Sequence, residues 1–302
     1  MSLLTASSIE LTTSSINLSH LKRKDLDLSG VFQEIFSAFY LQPFQRDPNL
    51  KLKEKEFEIL DPSICRVTHG AMHAARVAAY VKVLHLFRSK LIAQDQPILE
   101  PLLTSGTLDT TQMIHLTQLV GCLHDAARRA EVADRWDKES SSLCESWLER
   151  LFEELDPAWR RCFSSMIEFK DDSASYTSFL RSESWSDEQI TAWNYLKELV
   201  HDADCLDIMR VKKNFDVQYL DVYRYAQDPS ISSSLFELVN QIRELIHKQA
   251  DLYKDVSILH PSLKAPLLPK NFSIEIKKTY EHAPLVYKKI TQDMEQFSWL
   301  KA

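Results

Sequence analysis

An all-α architecture fits this chain best, and three observations argue for it. Glycine is scarce, 4 in 302 residues, against a usual share of about 7%. So few glycines leave little room for tight turns, glycine-rich phosphate loops or dinucleotide fingerprints. Apolar residues recur at spacings of three and four along most of the chain, which is the helical period. Hydrophobic residues make up 44% and charged residues 26%, an ordinary globular balance with ample length for a core.

Residues 1–19 contain nine Ser or Thr and read as a flexible tail, taken to run through residue 26. From Asp27 to Tyr40 the series Leu28, Val31, Phe32, Ile35, Phe36 and Phe39 marks a helix, ended by Pro43. Residues 44–62 are polar, with a charged stretch at Lys51–Glu58 that reads as a solvated face. A strong helix is expected over Val67–Ile92, with Val77, Val81, Leu84 and Phe87 as its stripe. A loop with Pro97 and Pro101 follows. Asp109 starts the next helix, carrying Met113, Leu116, Val120, Leu123 and Ala127. Asp137–Leu155 and Pro157–Glu168 are amphipathic, and Pro157 suits a first helical turn, where its missing N–H costs nothing. The Ser- and Asp-rich stretch 170–187 reads as a loop. Helices are then expected at Asp187–Val211, 230–251 and 273–296, around a stretch holding Pro261, Pro266 and Pro269. The organisation expected is one helical domain over 27–302, with a motif-bearing core at about 30–215 and a helical appendage at 216–302.

The formal charge is −7, which disfavours a non-specific nucleic-acid binder because that function needs a basic footprint. The five cysteines are widely spaced with no CxxC pair, so zinc knuckles and thioredoxin-like motifs are unsupported and a reducing compartment is the simpler reading. No apolar run approaches the length of a membrane span. The N-terminus lacks the charged region of a secretory signal. A soluble, cytoplasmic protein is expected.

Three helices carry the titratable groups that point to chemistry. The first opens Thr68-His69-Gly70-Ala71-Met72-His73-Ala74-Ala75-Arg76-Val77, with His69 and His73 four apart on one face. The second ends His124-Asp125-Ala126-Ala127-Arg128-Arg129-Ala130-Glu131. Continued helix geometry would put Val120, His124, Ala127 and Glu131 on one stripe. The third carries His201-Asp202-Ala203-Asp204-Cys205-Leu206-Asp207, with His201 and Asp204 on one face. Taken singly, a histidine on an apolar helix is usually a satisfied core residue, the reading given to His85, His115, His247, His260 and His282. Clustering with Asp125, Glu131 and Asp204 argues for a functional site.

The order His, then His-Asp, then Asp, all on helices, resembles the HD-domain phosphohydrolases. Their metal quartet would fall on His73, His124, Asp125 and Asp204. Imidazoles and carboxylates bind a divalent cation, which activates water and neutralises phosphate charge. The run from about Phe32 to Arg210 more narrowly resembles the phosphodiesterase domain of the SidE-type effectors of intracellular bacterial pathogens. The matching pieces are Thr-His-Gly-Ala-Met-His, His-Asp-Ala-Ala-Arg-Arg-Ala-Glu-Val-Ala-Asp-Arg-Trp-Asp-Lys-Glu-Ser, and His-Asp-Ala-Asp-Cys-Leu-Asp-Ile-Met-Arg.

That resemblance implies an HD-like helical bundle with additional helices and a His/Glu/His catalytic set at His69, Glu131 and His201. It implies cleavage of the pyrophosphate in ADP-ribosylated ubiquitin, or of the phosphodiester joining phosphoribosyl-ubiquitin to a substrate serine. With no room for a separate ADP-ribosyltransferase domain, the remover role is expected. Ubiquitin is then the partner, no cofactor is expected, and delivery into a host cell follows from the resemblance alone. The mechanism it suggests has His69 attacking phosphorus, His201 protonating the leaving oxygen and Glu131 orienting an imidazole. Arg128, Arg129 and Arg135 are candidate phosphate clamps. His73, His124, Asp125 and Asp204 would then be a supporting polar network. Two alternatives remain: a metal-dependent HD phosphohydrolase of nucleotides or cyclic nucleotides, and an inactive module that binds ubiquitin or a nucleotide.

Overall fold

The computed structural model describes residues 18–22, 26–40, 64–66, 69–95, 97–104, 108–128, 135–210, 215–252, 275–276, 282–297 and 299. The fold is all-α, as expected. Its helices are α1 (Ser29–Ile35), α2 (Ala71–Leu91), α3 (Glu100–Leu103), α4 (Thr110–Leu123), α5 (Asp137–Leu151), α6 (Pro157–Glu168), α7 (Ser173–Ser182), α8 (Asp187–Asp207), α9 (Pro229–Leu252) and α10 (Ala283–Asp293). Two short strands, β1 (Ile64–Arg66) and β2 (Glu275–Ile276), pair antiparallel.

Helix α2 is the axis. It packs against α4, α8 and α10, and nearly every residue from Ala71 to Leu84 is buried. Five alanines favour the helix and keep it thin. At Gly121 of α4 an added Cβ would stand 3.3 Å from Val81 Cγ2 and 3.4 Å from Val77 Cγ1. Glycine is what lets α4 lie this close to α2. Asp109 and Gln112 form a capping box at the start of α4, and Ser186 and Gln189 form another at α8. Asp156 caps α6, with Pro157 in its first turn. Each of these satisfies N–H groups that would otherwise lack partners.

Several expectations need correction. The stretch 170–187 is not a loop throughout. Asp172 accepts from Ser175 N and starts α7, whose Tyr176 and Leu180 are buried four residues apart. The Pro97–Pro101 connection likewise contains α3. The tail expected over 1–26 is packed at Leu18–Lys22: Gln112 Nε2 donates to Leu18 O at 2.7 Å, and Leu21 is fully buried. The first 17 residues lie outside the described residues. The appendage expected at 216–302 includes α10, which buries Val286, Tyr287 and Ile290 and packs along α2. That helix begins at Ala283 rather than 273, where Pro284 supplies a preset φ in the first turn. His85 and His115 are satisfied histidines, bonded to Tyr195 Oη at 2.8 Å and Leu21 O at 2.9 Å. His247 is exposed rather than in the core.

Candidate active site

The N-terminal turns of α2, the C-terminus of α4 and the last turns of α8 meet at one point. Helix α4 stops at Leu123, and His124–Ala127 form turns. The stripe expected to continue through Ala127 is therefore broken. His124 Nδ1 lies 2.7 Å from Gly121 O. A carbonyl only accepts, so Nδ1 carries the hydrogen and donates. His73 Nδ1 faces Asp207 Oδ2 at 2.7 Å, another acceptor. Both imidazoles thus turn Nε2 inward.

The two Nε2 atoms stand 3.0 Å apart. Asp125 Oδ2 lies 3.3 Å from each of them. Asp204 Oδ1 lies 3.4 Å from His73 Nε2 and 3.5 Å from His124 Nε2. Two bare lone pairs at 3.0 Å would repel, so the centre needs a hydrogen between the nitrogens or a cation among the four ligand atoms. Burial opposes protonation, but Asp125 and Asp204 outweigh it and push His124 up to about 10. Burial alone would raise Asp125, yet His124 and His69 hold it well below the carboxylate range. Burial likewise works against ionised Asp204, but Lys170 and His124 keep it well below that range.

A belt of cations surrounds this centre. Arg76 Nε donates to Asp207 Oδ1 at 2.6 Å, and Arg210 Nη1 lies 3.0 Å from Asp207 Oδ2. Arg128 Nη1 lies 3.4 Å from Asp125 Oδ1. Lys170 Nζ lies 3.5 Å from Asp204 Oδ2. Asp207 is fully buried, a position that raises a carboxyl, yet Arg76 and Arg210 hold it far below the carboxylate range.

His69 adjoins the centre, its ring edge-on to His73 at 5.4 Å between centroids. His201 sits in a neighbouring cluster. Its Nδ1 lies 3.3 Å from Asp202 Oδ1 and 3.3 Å from Asp221 Oδ2, and its Nε2 lies 3.6 Å from Asp171 Oδ1. Burial disfavours its charge, but hydrogen bonds to Asp202, Asp221 and Cys205 outweigh that and push it up to about 12. The two clusters are joined by the adjacent pair Lys170 and Asp171, the first on Asp204 and the second on His201.

The expected quartet His73, His124, Asp125 and Asp204 therefore converges, with His69 against it. Arg128 is buried on Asp125, a place to position that carboxylate, rather than presented as an open clamp. Arg135 is exposed. Glu131 and Arg129 lie outside the described residues. Asp207, Arg76, Arg210 and Lys170 were not singled out from the sequence. Two of them had a signal: Arg76 follows His73, and Asp207 follows Asp204, each by three residues on the same helix face.

A helical bundle here gathers imidazoles and carboxylates at one buried point, ringed by arginine and lysine, groups whose chemistry suits phosphate esters. A family model for the SidE phosphodiesterase (PDE) domain matches residues 40–257. The chain belongs to that family, and it is a phosphodiesterase. The match runs through α9, past the core expected from motifs. Comparisons with curated proteins and with solved structures gave no match.

Proposed function

We propose that this phosphodiesterase acts on ubiquitin carrying ADP-ribose or phosphoribose, and that it removes phosphoribosyl-ubiquitin from substrate serine. The family match over 40–257 carries this reading. In the proposed reaction an imidazole nitrogen of His69 attacks phosphorus. The P–O bond to the leaving group breaks, and its electron pair takes the Nε2 proton of His201. Water then hydrolyses the phosphohistidine, and Glu131 orients one imidazole. The carboxylates of Asp202 and Asp221 beside His201 favour its protonated form, the form that can give a proton. His73, His124, Asp125, Asp204 and Asp207 hold the floor of the site rigid, and Arg128 fixes Asp125. Arg135, exposed two residues before α5, is a candidate for the substrate phosphate. No cofactor enters this scheme. The place of action proposed is the host cytoplasm. Among the described residues no helix is long and apolar enough to cross a membrane.

One observation favours a second reading, a metal-dependent phosphohydrolase of nucleotides. With both Nδ1 atoms committed, the Nε2 atoms of His73 and His124 and a carboxylate oxygen of Asp125 lie close enough together to hold one divalent cation, and Asp204 Oδ1 stands 3.4 and 3.5 Å from the two nitrogens. Such a cation would supply Lewis-acid charge stabilisation there. The test is intact-mass spectrometry of ADP-ribosylated ubiquitin after incubation, with and without chelator. Loss of AMP in both arms supports the His69/Glu131/His201 scheme. Loss of AMP only without chelator supports the metal reading, and an unchanged mass refutes the proposed substrate.

A further inference from the structure

Asp202 is fully buried on α8. A carboxylate out of reach of water needs donors on its oxygens or a cation beside it. Three donors reach this one. Asp221 N donates to Oδ1 at 2.6 Å, Val222 N donates to Oδ2 at 3.1 Å, and His201 Nδ1 lies 3.3 Å from Oδ1. An ionised carboxylate only accepts, so Nδ1 carries the hydrogen of that bond. Among the described residues, His201 is the one basic side chain within ion-pair distance of Asp202. Asp221 Oδ2 stands at the same distance from Nδ1 but makes no hydrogen bond.

Asp202 is itself held from outside its helix. Its two backbone donors open the turn Asp221–Tyr225. The far end of that turn is tied down by side chains. Arg224 donates to both Glu198 oxygens at 2.6 and 2.8 Å, and Tyr225 Oη donates to Asp95 Oδ1 at 3.2 Å. Buried Arg88 bridges Asp95 and Glu198, at 2.6 and 2.9 Å. Two amides of an anchored turn thus fix the carboxylate that receives the His201 ring.

We infer that Asp202 is the positioning residue of the acid: it takes Nδ1–H of His201 and leaves Nε2 as the nitrogen that faces the leaving oxygen. A carboxylate bonded to one ring nitrogen sets the direction of the other. Nε2 lies 3.6 Å from Asp171 Oδ1 and 3.6 Å from Cys205 Sγ. Asp171 is exposed, so this edge of the ring borders solvent. The inference rests on the proposed role of His201 as acid.

Leaving-group dependence tests it. A serine alkoxide leaves poorly and needs the proton, whereas AMP leaves as a stable phosphate anion with little help. Asp202→Asn keeps the size of the side chain and removes its charge and one of its acceptors. Steady-state kinetics would compare release of phosphoribosyl-ubiquitin from serine with release of AMP from ADP-ribosylated ubiquitin. A positioned acid contributes roughly 10²–10⁴ in rate, so losing its orientation is expected to lower kcat for serine release by about 10-fold or more. The expected fall for AMP release is several times smaller, and KM stays nearly constant in both. Arg224→Met loosens the same turn from its other end without touching His201, and is expected to leave both rates within a few-fold of the parent. Equal losses on the two substrates, a change confined to KM, no loss, or the same substrate-dependent loss in Arg224→Met would overturn the inference. His201→Ala separates the two failures. If it shows the leaving-group dependence and Asp202→Asn does not, the positioning role alone fails; if neither shows it, the acid role itself is wrong. A second measurement needs no change at Asp202. Proton–nitrogen NMR of the parent should show a His201 Nδ1 hydrogen slowed in exchange with water and absent from His201→Ala. Free exchange at that nitrogen would overturn the inference even if Asp202→Asn does not fold.

Discussion

Replacing Asp207 by Asn is the most informative single perturbation of the buried centre. Asp207 is fully buried and takes His73 Nδ1 at 2.7 Å, Arg76 Nε at 2.6 Å and Nη2 at 3.1 Å, and Arg210 Nη1 at 3.0 Å. Asparagine has nearly the same shape and keeps one acceptor oxygen, so little packing is lost. What disappears is the charge that balances two guanidinium groups. Removing one partner of a buried ion pair costs about 3–5 kcal/mol, because the remaining charge stays buried without compensation. For a chain of 302 residues, the unfolding entropy at the midpoint is roughly 0.6 kcal/mol per degree. The expected drop in Tm is then about 5–8 °C, read by thermal unfolding at neutral pH. Arg76→Met removes the partner, so the double variant should be less damaged than the two singles summed, by ~1 kcal/mol or more. A shift under about 2 °C in Asp207→Asn, or strict additivity with Arg76→Met, would refute the view that this carboxylate neutralises the belt.

Three further outcomes are expected. His69→Ala and His201→Ala should each lose roughly 10²-fold or more in kcat for release of phosphoribosyl-ubiquitin from serine, with folded-state CD unchanged; activity within a few-fold of the parent in either would contradict its role. His85 accepts the Tyr195 hydroxyl as a neutral ring, and burial together with Arg88 and Lys82 lowers it to about 4. Its folded pKa lies below its ordinary 6.5, so between about pH 4 and 6.5 the unfolded chain binds more protons and stability rises with pH. Chemical denaturation across that window should show a shallower slope in His85→Gln, and an unchanged slope would show that His85 does not titrate this way. Gly121→Leu should cost at least about 2 kcal/mol by overpacking, since even a Cβ meets Val81 and Val77 at 3.3 and 3.4 Å; a denaturation midpoint equal to the parent's would show that α2 and α4 can move apart freely.

The parts of the fold that could be read from sequence are those where one local rule decides. Helix α6 runs over Pro157–Glu168 as expected because its cap, its proline and its apolar period agree. Helix α7 was misread because its composition is Ser- and Asp-rich, yet Asp172 and the Tyr176/Leu180 pair held the information: a cap, followed by two apolar residues four apart. The same division runs through the site. His73, His124, Asp125 and Asp204 were legible because each lies within a short motif, on a helix for His73 and Asp204 and in the turns that follow α4 for His124 and Asp125. Asp207 and Arg76 share the faces of Asp204 and His73, so the period offered them, but no rule of local sequence says that a third carboxylate must turn His73. Asp221 had no local signal at all. It lies 20 residues beyond His201, and only the capping by Asp202 and the Arg224–Glu198 pair bring it back. At His73 the direction of the ring follows from Asp207, which packing supplies. A motif that preserves the histidines alone would therefore not preserve the site.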